Sequence, residues 1–294
     1  MILEPITLRH YDAVEQIRKR YGHQTSSHAF LSLFLWKEEM SLQMCLMPDM
    51  FAVKCNRRGE NCWFFPCGEP EAIKNFLHQQ LDTVKAPLRL CYMRTEDAEM
   101  LNREFLNRFS LVATPDDDEY LYDREQQLLL QGKEFRHHRN SLNRLMKKYQ
   151  IETIEITSEN LEQAKVVLDR ARENGMENGM ENVGTLSTRS TERIILEHWD
   201  ALNMNGVIVY ADGIPAAIAA GYFISDSMYD ISVCRQALDD SDIAVYARHQ
   251  LFSRLPQTIR LINAEEDLGL EGLRILKRGM RPVSFLTMFE GVSK

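Results

Sequence analysis

This chain of 294 residues predicts a mixed α/β fold, with α+β mixed sheets arranged as two successive units. Three observations lead there. Apolar runs of strand length are parted by glycine turns, at Arg58-Gly59-Glu60 and again at Asp212-Gly213. Stretches with helical periodicity alternate with these runs. The same order of elements then recurs in the second half, although residue identity between the halves is not visible.

The elements follow in order. Met1–Leu3 reads as a short strand and His10–Arg20 as a helix, with a second helix over Ser26–Met40 (SSHAFLSLFLWKEEM) that Ser26 or Ser27 can cap. Ser41–Met47, Met50–Asn56 and Asn61–Pro66 form a meander. Helix Glu69–Leu81, strand Leu88–Met93, helix Thr95–Phe109 and the strands Leu111–Ala113 and Tyr120–Asp123 close the unit. The second unit opens on a basic helix, Gly132–Tyr149. It continues with strand Ile151–Ile156, helices Glu159–Glu173 and Thr188–Leu202, and the strands Gly206–Ala211, Pro215–Ile224 and Met228–Cys234. Helix Ser241–Ser253, strand Thr258–Asn263, helix Leu268–Arg278 and strand Val283–Glu290 end it. The expected domains are therefore 1–123 and 124–294. Between two helices, the direct repeat ENGMENGMEN (Glu173–Asn182) reads as a loop, either an insertion or a substrate lid.

Charge is sorted unevenly along the chain. In Gly132–Tyr149, Lys133, Arg136, Arg139, Arg144, Lys147 and Lys148 face one acid, Glu134, while the whole chain carries −8. Helical spacing places Lys133, Arg136, Asn140, Arg144 and Lys147 on one stripe and Phe135, Leu142, Leu145, Met146 and Tyr149 opposite. That stripe either solvates a face that neutralises the nearby acids Asp116–Glu119 or seats phosphate, the acceptor end of tRNA, or an anionic lipid headgroup. A sequence pI near 5.6 speaks against a general nucleic-acid coat protein.

No apolar stretch is long enough to span a bilayer, and the start MILEPITLRHYD shows no secretory pattern. A cytoplasmic protein is the expectation. Cys45, Cys55, Cys62, Cys67, Cys91 and Cys234 form no C-x-x-C pair and sit among apolar neighbours, so buried reduced thiols are expected and no metal site is. Elbow, phosphate-loop and dinucleotide motifs are also missing, which removes the usual support for hydrolase, kinase or dehydrogenase chemistry.

Four segments carry a family resemblance: SSHAFLSLFLWKEEM, FFPCGEPEAIKNFL (Phe64–Leu77), GKEFRHHRNSLNRLMKKY and NAEEDLGLEGLRILKRGMRP (Asn263–Pro282). The most specific cores are Gly132, Lys133, Arg139 and Asn140, and the run from Glu266 to Lys277. Read together, they resemble soluble members of the phosphatidylglycerol lysyltransferase C-terminal domain family. That resemblance implies tandem GNAT-like domains and transfer of an aminoacyl group from aminoacyl-tRNA to a lipid, peptide or small-molecule acceptor. A non-catalytic ligand-binding protein of the same fold and a CoA-dependent N-acyltransferase are the alternatives.

No cofactor is firmly implied. Acetyl-CoA is disfavoured, because RQALDDSDIAVY (Arg235–Tyr246) has no glycine and offers Asp239, Asp240 and Asp242 where a pyrophosphate would need amide donors. Ser232, Val233 and Cys234 also stand where the family would carry a Glu-Lys pair. Acyl transfer needs a proton acceptor and oxyanion donors. The candidate catalytic residues are Glu265, Glu266 and Asp267, whose crowding would raise a carboxyl pKa or hold an amine. The candidate substrate-binding residues are Lys133, Arg136, Arg139, Asn140, Gly269, Gly272, Arg274 and Lys277. Arg274 and Lys277 share a helix face suited to phosphate. Of the adjacent His137 and His138, at most one can face a cleft.

Overall fold

A computed structural model describes residues 2–83, 86–106, 108–177 and 184–294. The chain divides into two compact units. The first holds Met1–Tyr120, Glu265–Arg278 and Ser284–Lys294, and the second Leu121–Ala264 and Gly279–Val283.

In the first unit an eight-stranded sheet is built around the meander Gln43–Met47, Met50–Arg57 and Glu60–Phe64. Its tight turn puts Arg58 at φ +53 and Gly59 at φ +80, the left-handed pair that a two-residue hairpin demands. Glu60–Phe64 then pairs in parallel with Arg89–Met93. The sheet is completed from the far end of the chain: Phe289–Ser293 inserts antiparallel between Arg89–Met93 and Phe109–Ala113. The expected division at 123/124 is contiguous, whereas the first unit also takes in Glu265–Arg278 and Ser284–Lys294 from the far end of the chain, and the expected last strand, Val283–Glu290, is two strands, Ser284–Leu286 and Phe289–Ser293. Helices Pro70–Thr83 and Thr95–Glu104 bury Ile73, Phe76, Leu77 and Leu101 against Met50, Trp63, Leu90 and Met93. Burying such side chains contributes about 1.5–3 kcal/mol each.

The expected helix Ser26–Met40 shrinks to Phe30–Leu35. Its serines cap no helix end. The Ser26 amide and hydroxyl (both 2.9 Å) and the Ser27 amide (3.1 Å) donate to the buried carboxylate of Glu119. Beside them His28 Nε2 donates to the Phe65 carbonyl at 2.8 Å, and burial pushes this imidazole down to about 3. His28 is therefore neutral, with Nδ1 left to accept.

In the second unit Asn205–Ala211, Ile214–Phe223 and Met228–Gln236 form an antiparallel meander flanked by Ile151–Glu155. Leu261–Asn263 pairs in parallel with Met228–Asp230, and among the described residues no strand pairs with Met228–Gln236 on that side from Ile231 onward. Gly221 lies at a register shift where a Cβ would sit 1.7 Å from the Asp230 carbonyl oxygen, so no side chain fits. The repeat Glu173–Asn182 begins inside helix Leu161–Glu177, and its residues 178–182 lie outside the described residues. The reading of that repeat as a lid or an insertion therefore falls largely outside them too. Among the described residues no helix is long and apolar enough to cross a membrane.

Candidate functional site

The sequence-predicted residues fall into two groups, one in each unit. Lys133, Arg136, Arg139 and Asn140 belong to the second unit, and Glu265–Lys277 to the first.

The basic helix is shorter than expected, Arg136–Lys148, because Gly132 holds φ +86 and breaks the run before it. Phe135 and Leu145 are buried as the pattern predicts, whereas Met146, expected on the core side, is 56% exposed. Several of the basic residues are already engaged within the unit. Arg139 donates to the carbonyls of Leu130 and Gly132 (2.7 Å to the latter), tying down the end of helix Arg124–Leu129, where Leu130 is left-handed. Arg144 forks onto Asp242 at 2.8 and 2.7 Å, and Lys148 reaches Asp240 at 2.7 Å. These are two of the three carboxylates expected to repel a pyrophosphate, and the basic helix neutralises them. Lys133, Arg136 and Asn140 remain exposed, and among the described residues neither cation has an ion-pair partner. His138 borders a cavity of about 10 Å³, room for one water, together with His249 and Arg248. Burial lowers this histidine to about 4, so it is neutral at pH 7.

In the first unit the loop after Ala264 is held in a constrained form. Glu265, Leu268 and Gly269 adopt φ of +59, +55 and +71. Gly269 suits its place twice over, by that φ and because a Cβ would come within 2.9 Å of the Asp116 carboxylate. Gly272 meets no such constraint.

The three candidate carboxylates differ sharply in setting. Asp267 is buried, and burial alone would raise its pKa. Two bonds from Arg274 (2.8 and 2.9 Å), the Tyr120 hydroxyl (2.6 Å) and the Gly269 amide (2.9 Å) outweigh that and hold it at about 2. Asp267 is a fixed anion that clamps a loop, and its oxygens are too well engaged to serve as a base. Arg274 Nη2 also donates to Asp116 Oδ1 at 2.8 Å. The phosphate-fork reading of Arg274 and Lys277 therefore meets a guanidinium whose Nε and Nη2 are already held by two carboxylates. Lys277 is buried and donates to the Glu266 main-chain carbonyl, with Nζ 5.7 Å from the centre of the Tyr120 ring.

Glu266 is the carboxyl whose pKa burial raises, assisted by the charge of Asp117 and opposed by Lys277 and Arg57. Arg57 and its neighbours were not legible in the sequence. This arginine ends strand Met50–Arg57, spends Nη2 on both oxygens of Asp117 (2.7 and 2.6 Å), and places Nε 3.3 Å from Glu290. Its guanidinium stacks 4.6 Å over the ring of Tyr92, which sits at φ +51, a strained conformation for an aromatic residue. Its Nη1 is buried with no acceptor among the described residues. Strain and an unmatched buried donor in one place are the marks of a site rather than of a packed core. The only sequence signal was an arginine just before a tight hairpin, which is too common to use.

Two mixed-sheet units with this element order, one of them holding a carboxyl that burial raises against the charges of Lys277 and Arg57, define a two-unit mixed α/β protein. The chain belongs to the family described as phosphatidylglycerol lysyltransferase, C-terminal, whose model matches residues 18–288. Among solved structures it is similar to a conserved protein of unknown function from Bacteroides thetaiotaomicron, at 22% identity and TM-score 0.90 over 100% of both chains. L-PGS from Bacillus licheniformis is similar at 14% identity and TM-score 0.65, covering 99% of this chain and 93% of that one. FemX is similar at 10% identity and TM-score 0.60, over 99% and 97%. These likenesses show the fold. Among curated proteins none matches.

Proposed function

We propose that the protein is an aminoacyltransferase that moves an aminoacyl group from the 3′ end of a tRNA to a hydroxyl or amine acceptor. The observation that supports this reading best is Glu266, a carboxyl raised by burial beside Lys277 and Arg57, with the Arg57 Nη1 donor unmatched. In this reading the acceptor's O–H or N–H attacks the ester carbonyl and Glu266 takes the proton. Arg57 Nη1 donates to the oxyanion that forms, and collapse of the intermediate returns the proton to the departing tRNA hydroxyl. A carboxyl with a raised pKa suits both halves of that proton transfer. Lys133 and Arg136 contact tRNA phosphates, while Arg139 keeps its structural role.

The family membership, in a lysyltransferase C-terminal family, supports the reaction class. The test is transfer of a radiolabelled aminoacyl group from charged tRNA to phosphatidylglycerol vesicles, to a peptidyl acceptor and to small amines. Turnover that Glu266→Gln abolishes while tRNA binding persists supports the proposal. Equal turnover in Glu266→Gln, or binding that does not fall with salt, overturns it.

A further inference from the structure

Cys55, Cys62 and Cys91 carry no role in the reading above, yet the sheet gathers them. Cys55 and Cys62 are direct cross-strand partners, and Cys91 is the partner of Phe64 on the next strand. Since side chains alternate along a strand, Cys62 and Phe64 share a face, and so do all three cysteines. The result is a buried cluster in which the sulfurs lie within 4.8 Å of one another, with Cys55 and Cys91 Sγ 4.0 Å apart.

We propose that this cluster is a three-sulfur site for a soft d¹⁰ metal ion, Cu(I) in particular. Three sulfurs at about 2.3 Å from a shared ion stand roughly 3.8–4.0 Å apart, so closing the site takes only small side-chain rotations. The donor set is purely thiol, which selects soft ions over hard ones. Among the described residues no imidazole or carboxylate joins the cluster, and the Trp63 carbonyl oxygen lies 3.5 Å from Cys91 Sγ and 3.6 Å from Cys62 Sγ. A site without a fourth side chain suits three-coordinate Cu(I) better than structural zinc, which takes four ligands.

The electrostatics are consistent with this. Hydrogen bonds from Cys55 and Cys91 hold the Cys62 thiol down to about 4, with Arg57 adding its charge, while burial raises Cys91. Each sulfur that binds as thiolate releases its proton to solvent.

The test uses the full chain, reduced and kept under argon, titrated with Cu(I) supplied as its acetonitrile complex against a chromophoric Cu(I) chelator. The expected result is about one equivalent retained, with sulfur-only coordination by X-ray absorption and a stoichiometric loss of titratable thiols. Retention should fall tenfold or more in Cys62→Ser and in Cys91→Ser and stay unchanged in Cys45→Ser, with circular dichroism confirming that each variant is folded. No retained copper in the wild type, equal retention in Cys91→Ser, or oxygen or nitrogen ligands in the absorption spectrum would overturn the proposal. A preference for Zn(II) over Cu(I) in the same competition would overturn the assignment of the ion. If Cys62→Ser fails to fold, protection of Cys55, Cys62 and Cys91 from alkylation by bound Cu(I), read by peptide mass spectrometry, decides the question in the wild type.

Discussion

Replacing Asp267 with Asn removes the anion on which Arg274, Tyr120 and Gly269 converge, without changing side-chain volume. The ordinary carboxyl value of 3.8 falls to about 2 in the folded chain. At about 1.4 kcal/mol per tenfold change, that depression corresponds to about 2 kcal/mol of folding stability at pH 7. Because the folded value is lowered, this stability is fully present above the unfolded pKa and is lost as pH falls through 2; about half remains at pH 3. Arg274 keeps Asp116 in the variant, so the loss should not exceed this figure greatly. Urea unfolding of the wild type and Asp267→Asn, followed from pH 7 to pH 3, measures the difference. The two curves should lie about 2 kcal/mol apart at pH 7 and draw together toward pH 3. A variant as stable as the wild type at pH 7, or a gap that widens with acid, would refute the clamp.

Other outcomes follow from the same geometry. Glu266→Gln should stabilise the protein at pH 7 while removing transfer, because a carboxyl with a raised folded pKa contributes its stability below the unfolded value and loses it as pH rises. The gain should vanish near pH 4, read by thermal unfolding across that range. Arg139→Ala should cost about 1–2 kcal/mol by freeing the Leu130 and Gly132 carbonyls, yet leave the salt slope of tRNA binding unchanged. Joint Lys133→Glu and Arg136→Glu substitution should flatten that slope and spare stability, measured by filter binding at graded salt. Gly221→Ala should cost about 3 kcal/mol or more, seen as a fall in urea midpoint, since its Cβ would overlap the Asp230 carbonyl.

Much of the fold was legible because local chemistry and tertiary structure agree. The Arg58-Gly59 and Asp212-Gly213 turns sit where glycine spacing places them, and the strands around them differ by a residue or two from the expectation. Agreement ends where a side chain has a distant partner. Ser26 and Ser27 resemble helix caps until Glu119, more than ninety residues on, accepts their hydrogen bonds. Arg139 resembles a ligand-binding cation until two nearby carbonyls claim it. Asp267 and Glu266 are adjacent carboxylates, yet donors surround one and burial raises the other.

By itself, then, the sequence determined the element order, the recurrence of that order, the glycine turns and the family. Those features depend on residues close along the chain or on motifs carried by them. Tertiary structure decided which charges are spent and which are free, because pairing depends on what burial and the sheet bring within 3 Å. It returned the last strand to the first sheet, set Arg57 between Asp117 and Glu290, and gathered Cys55 and Cys91 from 36 residues apart onto one face. No periodicity encodes such contacts. They arise only when strands register against partners that local sequence does not specify.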